Sequence, residues 1–83
     1  MASFDLTRMT TVEVPQLWEQ RQAIFQQHEV DLAQTTAVDS SGIAFLVQWA
    51  KSTPEHKLKV YHAPATVQAL IKTFHFEPLF VLA

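Results

Sequence analysis

Hydrophobic and polar positions along this chain follow two periods, and the switches between them mark its elements. From Phe4 to about Thr10 a weak alternation puts Phe4 and Leu6 on one side and predicts an opening strand. Thr11 to Val14 then lead to Pro15, which suits a first helical turn because the donor it lacks has no partner there. The spacing predicts a helix to about Gln27, with Val14, Leu17, Trp18, Ile24 and Phe25 on a broad apolar face and Arg21 near its middle. A charge in that position is costly unless its head reaches water or a carboxylate.

Glu29-Val30-Asp31-Leu32 reads as a short strand, with Val30 and Leu32 facing away from Glu29 and Asp31, and Gln34-Thr35-Thr36 interrupts it. The run Val38-Asp39-Ser40-Ser41-Gly42 follows and opens a second helix from Ser41 to about Lys51, which Ser52-Thr53-Pro54 ends because the residue before a proline avoids helical geometry. Leu58 and Val60 alternate with Lys57, Lys59 and Tyr61 as a further strand. Pro64 stands near the start of a third helix, whose Val67, Leu70, Ile71 and Phe74 form a single stripe expected to be buried and purely structural. Glu77-Pro78 breaks that pattern, and Leu79-Phe80-Val81-Leu82 is expected as a terminal strand or as irregular packing. Strands alternating with helices indicate a layered α/β domain spanning residues 1–83, without repeats or linkers.

Size and composition narrow the partners. Eighty-three residues, 48% of them hydrophobic, make one domain near the lower limit at which a single core suffices without metals or disulfides. The net charge of −2 and six scattered Lys and Arg give no basic footprint, so a nucleic-acid partner is not expected. The absence of cysteine rules out disulfides, thiolate zinc sites and thiol nucleophiles, and suits a reducing, cytoplasmic setting. The apolar run Ile43 to Val47 is far short of the roughly 20 residues that span a bilayer. The start Met1-Ala2-Ser3-Phe4-Asp5 carries no basic segment followed by an apolar one. Neither export nor membrane spanning is expected.

Catalytic chemistry is hard to place. One glycine, Gly42, cannot write a Walker loop or a dinucleotide fingerprint. His28, His56, His62 and His75 lack metal-ligand spacing, although His62 and Tyr61 could border a site. Ser40 or Ser41 as a nucleophile would need a base that no pattern identifies. No enzyme activity, cofactor or metal is expected.

The Asp39-Ser40-Ser41-Gly42 junction has a plain structural account, since Asp and Ser side chains accept hydrogen bonds from the free amides of a first helical turn and stabilise it by about 1 kcal/mol. It also has a functional one. A phosphoryl group on Ser40 would be tolerated beside those amides, yet would add about −1.5 to −2 charge to any docked interface and could release a partner. Turned through about 100° per residue, the second helix places Ile43, Leu46, Val47 and Ala50 toward the core and Phe45 and Trp49 on the opposite flank. Those two rings are expected either to project toward a partner protein or to widen the core.

These residues resemble a STAS domain, the small fold shared by anti-sigma-factor antagonists, sulfate-transporter tails and the MlaB subunit of bacterial phospholipid transporters. The resemblance rests on Val30-Asp31-Leu32, then Val38-Asp39-Ser40-Ser41-Gly42-Ile43, the apolar helix behind it and the Leu58-Val60 strand, and covers nearly the whole chain. It implies a mixed β-sheet with helices mainly on one side, and a protein-binding rather than catalytic role. Against the family pattern the amino terminus is expected to be short by about one strand, so that either its start is trimmed or a sheet edge is left open for another chain to cover.

Leu17-Trp18-Glu19 resembles MlaB proteins, whereas Asp39-Ser40-Ser41-Gly42 is similar to the antagonists, whose first serine is phosphorylated. The resemblance therefore implies a subunit bound to the MlaF-like ATPase of an ABC-type phospholipid transporter, and through it to the permease, at the inner face of the inner membrane. Its docking loop would be Asp39, Ser40, Ser41 and Gly42, with Phe45 and Trp49 as apolar contacts. The alternatives are an anti-sigma-factor antagonist switched by phosphorylation of Ser40, and a module that pairs with itself as a homodimer.

Overall fold

The computed structural model of the protein describes residues 5–83. The chain runs β1 (Arg8–Met9), α1 (Val14–Glu19), α2 (Arg21–Ile24), β2 (Glu29–Asp31), β3 (Ala37–Val38), α3 (Ser40–Ser52), β4 (Leu58–Tyr61), α4 (Ala65–Thr73), a 3-10 turn (Glu77–Leu79) and β5 (Phe80–Leu82). The α/β alternation expected from the sequence is the architecture observed. Of the expected opening strand, Arg8 and Met9 form β1, while Phe4 lies outside the described residues.

Strand pairing differs in detail from the mixed sheet that the resemblance implies. Among the described residues all pairings are parallel and fall into two small sheets, β1 with β3, and β2, β4 and β5 in that order. Val30 faces Val60 across the β2–β4 pair, and Leu58 faces Phe80 across β4–β5. All four side chains are buried, so the period-2 pattern sets which face meets the core.

The first helix is two short helices rather than one. Gln20 departs from helical geometry at φ −94° and ψ 8°, and the chain restarts at Arg21. Its entry is fixed by Thr10 and Glu13: the Thr10 hydroxyl accepts from the Val12 amide at 3.3 Å, and the Glu13 carboxylate accepts from the Thr10 amide at 3.1 Å. That reciprocal pair satisfies donors that a helix start leaves free. Arg21 finds an aromatic partner in place of a carboxylate. Its guanidinium lies 4.5 Å from the Trp18 ring centroid and donates to the Trp18 carbonyl at 2.9 Å.

Helix α3 is the centre of the molecule. It packs on α1 along one flank and α4 along the other, and meets β3 and β4. It closes at Thr53, a buried residue whose hydroxyl sits 2.8 Å from the Ala50 and Lys57 carbonyls and accepts from the Lys57 amide at 2.9 Å. Helix α4 buries Val67 and Ile71, with Leu70 half-buried, but Phe74 is 46% exposed, which corrects the expectation of a wholly buried stripe. The reason is local. The chain leaves the helix at Phe74, His75 turns into the left-handed region at φ 60°, and the Phe74 ring is left on the outside beside Phe76. No helix among the described residues is long and apolar enough to cross a membrane.

Candidate functional site

Asp39 holds the start of α3 together. It caps the helix in extended geometry, and its Oδ1 accepts from the amides of Ser41 at 2.8 Å and Gly42 at 3.3 Å. Its Oδ2 reaches back to the loop before α1, accepting from the Thr11 amide at 2.9 Å and the Thr11 hydroxyl at 3.1 Å. The Thr11 hydroxyl also lies 3.1 Å from Ser41 Oγ. One carboxylate thus ties together two segments far apart in the chain. These donors, foremost the Thr11 amide, hold the Asp39 carboxyl below its ordinary value and outweigh the desolvation that opposes them.

Gly42 is buried against β1. A Cβ there would collide with the Met9 carbonyl and come within 2.8 Å of Val38 Cγ1, so only glycine lets α3 start this close to the strand pair. Of the four junction residues expected to form a docking loop, Asp39 and Ser41 are therefore engaged internally and Gly42 faces inward. Ser40 differs from all three: it is exposed, and its hydroxyl takes no part in the network.

Phe45 and Trp49 do not project from the domain. They are 2% and 1% exposed, which corrects their expected placement as outward apolar contacts. Phe25 from the end of α2 stacks on Trp49 at 6.0 Å and lies 5.5 Å from Phe45, and the Trp49 indole N–H donates to the Gln27 carbonyl at 2.8 Å. The error has a simple cause. A helical wheel with one core side leaves these rings outside, but α1 and α2 cover that second flank, so the wider core is the observed one.

With two flanks covered, α3 keeps one narrow outward stripe of Ser40, Ala44, Gln48 and Lys51, at intervals of three or four residues. Two partly exposed rings border it, Trp18 at 40% and Phe74 at 46%. Sequence reasoning missed both as surface candidates by assigning them to buried stripes. Shallow depressions run beside the stripe, one of about 280 Å³ touching Val14, Trp18 and Ser41, and one of about 400 Å³ touching Ser40, Phe74 and Phe76. A further cleft, about 600 Å³, lies elsewhere, lined by Asp5, Arg8 and Glu13, of which Arg8 and Glu13 pair with each other at 3.4 Å.

The histidines do not join the junction. His62 pairs with Asp31 at 3.0 Å at the ends of β4 and β2, with both side chains largely exposed. Among the described residues no three His, Asp or Glu side chains form a group that could hold a metal ion. The arrangement offers an exposed hydroxyl, a polar stripe and flanking aromatic rings on a rigid helix, which suits recognition of another macromolecule.

Comparison with known proteins agrees with that chemistry. The family model described as "Mlab, STAS domain" matches residues 6–81. No curated protein and no solved structure matches the chain.

Proposed function

The chain belongs to the STAS domain family, and from that premise we propose that it is a non-enzymatic subunit that docks on the ATPase of an MlaFEDB-like ABC phospholipid transporter and supports its assembly or activity. STAS membership carries the protein-interaction role. The description of the matching family model and the resemblance of Leu17-Trp18-Glu19 to MlaB proteins support the transporter branch.

One observation carries the choice of surface: Ser40 stands exposed at the start of α3 while Asp39 and Ser41 are locked into the Thr11 network. The hydroxyl is thus presented at a fixed position at the head of the outward stripe, which Trp18 borders on one side and Phe74 on the other. A rigid platform of this kind avoids the ordering cost that a loop would meet on binding. The ATP and its hydrolysis belong to the partner, and the complex sits at the inner face of the inner membrane.

The test is capture of an MlaF-like ATPase by wild type and by Ser40→Glu and Trp18→Ala. Both variants alter exposed positions and should stay folded. Loss of capture in either supports the surface; full capture by both removes it. The same exposed hydroxyl favours a second reading, an anti-sigma-factor antagonist switched at Ser40. Incubation with candidate kinases followed by mass spectrometry separates the two, because stoichiometric phosphate on Ser40 selects the switch.

A further inference from the structure

The outward stripe of α3 continues from Ser40 into the 400 Å³ groove between α3 and the turn after α4. Ile43 and Val47 line it as buried side chains, and the Phe74 and Phe76 rings, 6.0 Å apart, wall one side. Lys51 stands at its other end, eleven residues from Ser40, a span of about 16 Å along a helix axis. That length matches three turns of a second helix laid alongside.

Charge along this face departs from that of the whole chain. The sequence carries eight acidic and six basic residues, yet the two depressions beside the stripe and a third of about 330 Å³ touching Trp18, Arg21, Gln48 and Lys51 are lined by two cations, Lys51 and Arg21, and by no carboxylate. Neither cation forms a salt bridge among the described residues. Two cations are too few for a phosphate backbone or an anionic membrane surface, which recruit clusters. They are enough to orient one acidic segment of a protein.

We propose that the groove receives an amphipathic helix of a protein partner, with apolar side chains seated on Phe74 and Phe76 and a carboxylate-bearing flank meeting Lys51. The inference rests on reading the α3 face as a docking surface, and it adds the chemistry of the segment that docks. Apolar anchors in a groove supply affinity while the charged rim fixes orientation.

Isotope-labelled protein titrated with two synthetic helical peptides of about 14 residues, roughly four turns, tests this by NMR. The peptides share a leucine stripe and differ only in carrying Glu or Lys on the flanks. The Glu peptide is expected to shift the amides of Ala44, Gln48, Lys51 and Phe74 in a saturable way and to bind about tenfold more tightly than the Lys peptide. Lys51→Glu should invert that preference, and Phe74→Ser should weaken both. Absence of saturable shifts, equal affinity for the two peptides, or shifts on another face overturns the proposal. So does concentration-dependent broadening of the same amides in the protein alone, which assigns the groove to a second copy. If the Lys51→Glu, Phe74→Ser double variant still captures the ATPase and the peptides fail to bind wild type, the groove is rejected while the transporter reading stands. Peptide binding without any ATPase capture rejects the transporter reading alone.

Discussion

Trp49 and Trp18 show how far apart two residues of one type stand once a fold surrounds them. Trp49 is enclosed between Phe25 and Phe45 with its N–H satisfied by Gln27, so Trp49→Ala is expected to cost about 3–5 kcal/mol and to lower the midpoint of urea unfolding sharply. Trp18 is 40% exposed and meets Arg21 and the edge of Phe25 from the surface, so Trp18→Ala should cost about 1 kcal/mol in the same measurement. Comparable losses in the two variants would contradict the assignment of one ring to the interior and the other to the surface. Gly42 makes a different point. The atom that a Cβ would meet belongs to the Met9 backbone, which cannot rotate away, so Gly42→Ala should destabilise by about 1–3 kcal/mol although alanine favours helices. A melting temperature equal to or above wild type would show that α3 can shift from β1 at no cost. Asp39 as a cap was legible from its type and position, because capping is local chemistry. Its tie to Thr11 was not, because nothing in spacing brings residues 28 apart into contact.

At the scale of elements, starts were easier to place than ends. Pro15 marked the first helix, but its continuation to Gln27 was an error of period, since apolar spacing persists across Gln20 while the backbone breaks there. The capping pair Thr10 and Glu13 has the Thr-x-x-Glu signature and was readable in principle. Helix α4 ends in a way that composition obscured. The Phe76 amide donates to the Ile71 carbonyl at 2.9 Å and the His75 amide to the Lys72 carbonyl at 3.2 Å, a motif that usually places glycine where His75 stands at φ 60°. The single glycine of the chain is at the α3–β1 contact, so histidine occupies this left-handed position at a steric cost. His75→Gly relieves that cost and loses some of it again to unfolded-state entropy, so a net gain of about 0.5–1 kcal/mol is expected by thermal unfolding. A marked loss of stability would mean that the histidine side chain contributes contacts beyond its own turn.

For the whole molecule, four carboxyls respond together to acid. Asp5 is held below its ordinary value first by the Thr7 amide, Glu13 by the Thr10 hydroxyl, Asp31 by the Ala33 amide and Asp39 by the Thr11 amide. A carboxyl depressed in the folded state stabilises fully above its unfolded value and loses that contribution as pH falls through the folded one. Urea midpoints should therefore stay level from neutral pH to about pH 5 and decline below about pH 4, with a shallower decline in Asp39→Asn. A flat profile into strong acid would show that these hydrogen bonds do not persist in solution. What the sequence by itself determined was the α/β class, the burial of Ile43, Leu46, Val47 and Ala50 on α3 and of Leu58 and Val60 on β4, the Asp39 cap and the isolation of Ser40's neighbourhood as a candidate site, because all of these follow from period and local chemistry. Only the tertiary structure decided which flank of α3 meets water. That outcome depends on where α1, α2 and α4 pack, and it moved Phe45 and Trp49 into the interior while leaving Trp18 and Phe74 at the surface. A helical pattern reports how many of its sides are apolar, whereas the neighbours that cover those sides arrive from distant parts of the chain.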